Sequence, residues 1–271
     1  MSNINKKKYA IGVFDSGLGG LTVVKELMRH LPYENIVYFG DTARVPYGTK
    51  SRESIIQFSK ENVAVLLRHQ VKMIVVACNT SSSLALPALK KTFDLPIVGV
   101  LDAGAKKAVA LTRTRRVGVI ATPATINSRA YPAKISRLDH SVKIWGQACP
   151  LFVPLAEEGW FDKEVTYAVA REYLDELKRA RVDTLILGCT HYPLLKPVLK
   201  KVMGEKVVLV DSAEAVAAEV KELLNKDDLA HPLSGRACYK FLVSDEPKHF
   251  RRLAKRFLGY DIRNVRRCGG V

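Results

Sequence analysis

Short apolar, β-branched runs alternate along this chain with longer segments whose apolar residues recur at helical spacing. The runs Tyr9 to Phe14, Asn35 to Gly40, Lys72 to Ala77, Pro96 to Val100, Arg116 to Ala121, Val142 to Gly146, Asp183 to Gly188, Lys206 to Val210 and Cys238 to Val243 read as strands. Many hold apolar residues at consecutive positions, the mark of strands covered on both faces. Ser51 reads as the N-cap of a helix running to His69, in which Ile55, Ile56, Val63, Leu66 and Leu67 keep a helical period. Phe161 to Ala180 and Ala213 to Asn225 read as amphipathic helices. Such alternation predicts an α/β fold with mainly parallel sheets.

One pattern occurs twice. Met73 to Ser83, MIVVACNTSSS, and Thr184 to Tyr192, TLILGCTHY, each carry an apolar run into a small residue, a cysteine and then hydroxyl or amide residues. Ile11 to Gly19, IGVFDSGLG, likewise resembles Val117 to Thr125, VGVIATPAT, and both repeats are offset by roughly a hundred residues. The chain is therefore expected to hold two related halves, too long to be solenoid repeats. Facing each other about a pseudo-twofold axis, they would bring Cys78 and Cys189, both at strand carboxyl ends, into one cleft. Ligands bind at that edge of open α/β sheets. A single unpaired cysteine is often no more than a small buried hydrophobe, but opposed thiols suit inversion of a carbon bearing a C–H bond. One face needs a base and the other an acid, and thiols perform both roles when helix N-termini or cations lower their pKa. The expected activity is a racemase or epimerase that uses neither metal nor cofactor.

Composition narrows this little. The 271 residues are 48% hydrophobic and 26% charged, ordinary values for a globular protein with a substantial core. Five cysteines without a CxxC pair argue against a disulfide framework or a zinc site of usual spacing, so a reducing cytoplasm is expected. Lys6 to Lys8 precede an apolar run too short for a signal peptide, and no stretch reaches transmembrane length. The net charge of +16 is unusual, and residues 232 to 271 hold ten Lys and Arg against three acids. That surplus fits a polyanion-binding surface. It equally fits the solvated face of a helix whose buried stripe is Phe250, Leu253, Ala254, Phe257 and Leu258. A nucleic-acid-binding or regulatory protein is accordingly the rival class, and a positive field also draws in small anions.

The loops after the strands carry the remaining candidates. Asp15 to Gly20, DSGLGG, follows the first strand but does not spell GxGxxG, and no Walker lysine is present. Its glycines let backbone approach a small ligand, with Ser16 as a hydroxyl donor and Asp15 as either a functional carboxylate or a loop cap. Asp41 to Gly48, DTARVPYG, contains the turn Pro46, Tyr47, Gly48, whose N–H groups suit a carboxylate. Asn79 and Thr80 follow one cysteine, and Thr190 and His191 follow the other, where they suit a carboxylate or an ammonium. His191 is placed to share a proton with its neighbouring thiol. Cys149, Cys238 and Cys268 lack this context and read as structural.

Together DSGLGG at 15–20, GDTARVPYG at 40–48, ACNT at 77–80, PLAEEG at 154–159, GCTHYP at 188–193 and VSDEPKHFRRLAKRFLG at 243–259 resemble bacterial glutamate racemases. The paired ACNT and GCTH motifs mark the wider aspartate/glutamate racemase superfamily. Ala156 stands where a bulkier aliphatic residue is usual. The resemblance implies two pseudo-twofold-related α/β domains with the active site in the cleft between them. Residues 1–100 with 211–271 would form the first domain and 101–210 the second. It makes Cys78 and Cys189 the catalytic pair, assisted by Asp15 and His191, with Asp41 and Glu157 as auxiliaries. Substrate contacts are implied for Asp15, Ser16, Pro46, Tyr47, Gly48, Asn79, Thr80, Thr190 and His191, and for Thr122 and Thr125 at the pseudosymmetric place of Ser16. It also implies a cytoplasmic, commonly dimeric enzyme that makes D-glutamate for peptidoglycan, in a family some of whose members inhibit DNA gyrase. Rivals within catalysis are a racemase of aspartate or another acidic amino acid and, more distantly, a pyridoxal phosphate enzyme.

Overall fold

A computed structural model describes residues 6–232 and 236–268. The expected α/β architecture is present as two sheets in which every strand pairing is parallel. Ten strands are found: β1 Ala10–Asp15, β2 Ile36–Gly40, β3 Val71–Val76, β4 Ile97–Gly99, β5 Arg116–Ala121, β6 Lys143–Ala148, β7 Thr184–Gly188, β8 Val208–Asp211, β9 Tyr239–Val243 and β10 Val265–Arg267. One sheet runs β10-β9-β2-β1-β3-β4 and the other β6-β5-β7-β8. Counted from its own first strand, each half has the order second, first, third, fourth. The repeat read from the sequence is thus a repeat of topology.

Burial on both faces explains the consecutive apolar positions. Successive side chains point to opposite sides of a strand, and Ile11, Val13, Met73 and Val75 join one cluster while Phe14, Ile74 and Val76 join another. In the second sheet Leu185 and Leu187 face one cluster and Val119 and Ile186 the other. The Val100–Leu111 helix leaves β4 and packs on the second sheet through Leu101, Ala105 and Ala108, and the Ser212–Lys226 helix returns to the first through Val216, Ala217 and Val220. These two helices carry the crossings between the halves.

Several boundaries differ from expectation. Lys206 and Val207 precede β8, and Phe161 precedes the Glu164–Arg179 helix. β10 went unforeseen because its three residues carry two exposed arginines and no apolar run. Ser51 does cap the Arg52–Leu67 helix, its hydroxyl accepting from Ser54 N–H at 3.2 Å. The basic C-terminal stripe is the outer face of the Pro247–Leu258 helix, whose Phe250, Leu253, Ala254, Phe257 and Leu258 are all buried. Among the described residues no helix is long and apolar enough to cross a membrane.

At the amino ends of the strands lies a buried ion pair. Lys72 Nζ sits 2.6 Å from Glu34 Oε2 and donates to the carbonyls of Lys7 and Leu229, each at 2.8 Å. Glu34 Oε1 accepts from His231 N–H at 2.7 Å. The pair gathers four distant segments at the end of the sheet opposite the paired cysteines.

Candidate active site

β1, β3, β5 and β7 are the central strands, and their carboxyl ends release Asp15, Cys78, Thr122 and Cys189 toward the same cleft. A cavity of about 30 Å³ lies there, lined by Ser16, Val45, Pro46, Tyr47, Gly48, Cys78, Asn79, Thr80, Thr122, Val153, Gly188, Cys189, Thr190 and His191. The two cysteines share this space and are 5% and 7% exposed, so either sulfur can address a small molecule held between them.

Cys189 is backed by a relay. Its Sγ lies 3.8 Å from His191 Nδ1, and His191 Nε2 lies 2.9 Å from Glu157 Oε1. Burial works against a charged imidazole here, but Cys189 and Glu157 outweigh it and push His191 up to about 10. Burial likewise works against the Glu157 carboxylate, and the hydrogen bond and charge of His191 overcome it, holding Glu157 below its ordinary value. Negative charge on the adjacent sulfur and on Glu157 thus favours the imidazolium form, which is placed to balance it. The C-terminal helix holds both partners: the Phe257 ring packs edge-on to His191 at 5.4 Å, and Arg256 donates to the Glu157 carbonyl.

Among the described residues no such cation bears on Cys78. Burial and the charge of Asp15 push its thiol up to about 11, against the nearby polar groups of Ser81 and Ser16. Asp15 itself is fully buried behind the cavity; its Oδ2 accepts from Gly17 N–H at 3.0 Å and its Oδ1 from the Thr190 hydroxyl at 3.4 Å. Burial raises that carboxyl, against the His191 charge and the N–H groups of Gly17, Gly20 and Ser16. One thiol that keeps its proton faces another that stands beside a cation.

The candidates divide between the wall and its support. Thr80 Oγ1 lies 3.0 Å from Thr122 Oγ1 and 3.2 Å from Thr125 Oγ1, joining the two halves across the cleft. Asn79 Oδ1 accepts from the Tyr131 hydroxyl at 2.7 Å. Pro46, Tyr47 and Gly48 line the cavity, but the Tyr47 hydroxyl points away from it, donating to Asp41 and accepting from Asn62 at 3.0 Å. Asp41 is fully buried and stands outside the wall, its carboxylate held by Tyr47 and by Arg44 Nε at 2.7 Å. Thr125 and Glu157 also stand behind the lining. Close approach explains two glycines: a β-carbon at Gly19 would lie 2.1 Å from Thr190 Oγ1, and one at Gly48 would lie 2.7 Å from Thr122 Cβ.

Sequence reasoning missed Val45, Val153, Ser81, Tyr131, Arg256 and Phe257. Ser81 was inside a quoted motif, and its spacing from Cys78 was the available signal. Val45, Arg256 and Phe257 were also inside quoted motifs, whereas Tyr131 and Val153 carry no motif signal of their own.

Residues 13–220 match the Asp/Glu/Hydantoin racemase family. The chain is 53% identical over 256 residues to glutamate racemase of Geobacter metallireducens, covering 94% of this chain and 95% of that one. Its fold is similar to the crystal structure of a glutamate racemase isoform of Bacillus anthracis, with a TM-score of 0.92, 38% identity and coverage of 96% and 97%. It is also similar to the Francisella tularensis glutamate racemase solved with D-glutamate, with a TM-score of 0.90, 39% identity and the same coverage.

Proposed function

The chain belongs to the Asp/Glu/hydantoin racemase family, and from that premise we propose how it interconverts L-glutamate and D-glutamate: with Cys78 and Cys189 as the two acid/bases. The observation that carries this reading is that two thiols at equivalent ends of repeated strands line one cavity in unlike electrostatic settings.

With Cys189 as thiolate and His191 as its counter-cation, the sulfur takes the α-proton from one face, and Cys78 delivers its own proton to the opposite face. The electron pair of the broken C–H bond spreads into the α-carboxylate before the new C–H bond forms. Donors aimed at such developing charge are the largest single source of catalysis in comparable sites. Asn79, Thr80, Thr122, Thr190 and the N–H groups around Ser16 and Gly48 supply them here. The product leaves with the protons exchanged between the sulfurs, which is the state needed for the other enantiomer. Asp15 and Thr190 hold the floor of the site, and Glu157 holds His191.

The same reading assigns residues 1–100 with 211–271 to one domain and 101–210 to the other, residues 1–5, 233–235 and 269–271 lying outside the described residues. It makes the protein a cytoplasmic homodimer that supplies D-glutamate to peptidoglycan. A monomer mass by light scattering at working concentration would remove the dimer from this proposal.

The test is decay of optical rotation from each enantiomer in deuterated water, with α-deuterium followed. Rotation should reach zero from both sides, with early product deuterated and early residual substrate largely protiated. Early deuterium in residual substrate at the level found in product would point to a single exchanging base.

A further inference from the structure

Three serines follow Cys78 in the Asn79–Leu84 helix after Thr80, and their hydroxyls have different fates. The Ser82 oxygen accepts from Leu101 N–H at 3.2 Å, and the Ser83 hydroxyl donates to the Thr80 carbonyl at 2.9 Å. Ser81 is fully buried, and among the described residues its hydroxyl is without a hydrogen-bond partner. A polar group left unpaired in the interior carries a desolvation cost, and native structures seldom keep one without a use.

We propose that Ser81 is a positioning residue for the reaction, its hydroxyl held in reserve for the charged form of the Cys78 sulfur. Cys78 is the residue immediately before this helix, and Ser81 lies three positions on, where a capping acceptor meets the backbone. The N–H and hydroxyl of Ser81 bear on that sulfur, and neither makes a hydrogen bond to it in this state. A neutral thiol is a poor acceptor and leaves the hydroxyl unpaired, whereas a thiolate accepts strongly and pairs it. Forming the thiolate thus removes the cost of the unpaired group and gains a charge-assisted hydrogen bond.

The need for such a residue follows from the asymmetry of the site. Cys189 has a cationic ring beside it, while the groups bearing on Cys78 from neighbouring strands are the Asp15 carboxyl and the Tyr38 phenol. Cys189 and His191 face it across the cavity. For the enantiomer whose α-hydrogen points at Cys78, that thiol must lose its proton next to an acid. Ser81, helped by Ser16, replaces the missing cation with neutral donors.

This inference rests on the two-thiol reading, and the experiment separates them. Alkylation of Cys78 by iodoacetamide is followed against pH by peptide mass mapping in the full-length protein, with Cys189 as the internal reference. In Ser81→Ala the Cys78 midpoint should rise by about one pH unit, roughly a tenfold loss of thiolate at a given pH, while Cys189 is unmoved. Ser81→Thr, which keeps the hydroxyl, should keep the wild-type midpoint, and kcat of Ser81→Ala should fall with KM retained. An unmoved Cys78 midpoint in Ser81→Ala, or an equal movement at Cys189, would overturn the role of Ser81 alone. Full turnover by Cys78→Ala would overturn the two-thiol reading and this inference with it.

Discussion

Thr80 and Thr122 stand in the loops and helix starts that follow strands of opposite sheets, and their hydroxyl oxygens lie 3.0 Å apart across the cleft. The contact closes the site on a space of about 30 Å³, room for about two water molecules. A five-carbon dicarboxylate is larger than that space, and we expect the cleft to widen to admit it and to close again around it, excluding water.

Gly48 sits at this closing edge. A methyl group there would meet Thr122 Cβ at 2.7 Å, holding the halves slightly apart. Gly48→Ala should raise KM about tenfold and leave the melting temperature near wild type. Unchanged steady-state kinetics would show that the edge does not close on substrate.

On the two-thiol proposal, removing either sulfur removes a proton donor or acceptor from one face of the substrate. Cys78→Ala and Cys189→Ala should each lower racemisation at least about a thousandfold from both enantiomers, read as the circular dichroism of glutamate. Near-normal turnover by either variant would exclude that thiol from the mechanism.

His191 gives stability a pH dependence of known sign. Its folded value of about 10 lies above the ~6.5 of an unfolded histidine. Its contribution is complete below ~6.5 and is lost as pH rises toward 10. Glu157, held below its ordinary value, contributes above that value and loses its contribution as pH falls through its folded one. Thermal melts should show wild type losing stability between pH 6.5 and 10, and His191→Asn should flatten that slope. Parallel curves for the two proteins would contradict the assignment.

Arg256 is exposed, so truncating it should cost at most about 1 kcal/mol of stability. It also donates to the Glu157 carbonyl from across the cleft. Arg256→Ala should therefore lower kcat several-fold while the melting temperature scarcely moves. Loss of stability in step with activity would mean the residue acts only through folding.

The ion pair at the far end of the first sheet should behave in the opposite way. Lys72→Met leaves the Glu34 carboxylate buried beside an apolar side chain and should cost about 3–5 kcal/mol, measured by urea denaturation. kcat and KM of the folded variant should match wild type. A change in either constant at full folding would connect the two ends of the sheet.

The strands were legible because burial on both faces writes itself as unbroken apolar runs, and the pairing of Cys78 and Cys189 in one cavity because the same strand end occurs twice. Lys72 was read only as the start of a strand, since nothing local announces that its charge is met by Glu34. Tyr47 was read in its turn, but the direction of its hydroxyl depends on Asp41 and Asn62. Phe257 was read as core, and it is, yet the surface it covers is the His191 ring. In each case the residue type was visible and its partner was not, because the partner is supplied by the fold rather than by the neighbouring sequence.

β9 pairs with β2 along its whole length, from Ile36 opposite Tyr239 to Gly40 opposite Val243. Bringing those strands together closes a loop that contains the entire second half of the molecule, so this pairing carries a large loop-closure cost. Until it forms, β2 is an open edge able to recruit strands from other chains, and the helix bearing Arg256 and Phe257 has no sheet on which to dock. The Cys189–His191–Glu157 relay lies wholly within the second half, but the helix that braces it depends on a strand pairing among the most distant in sequence.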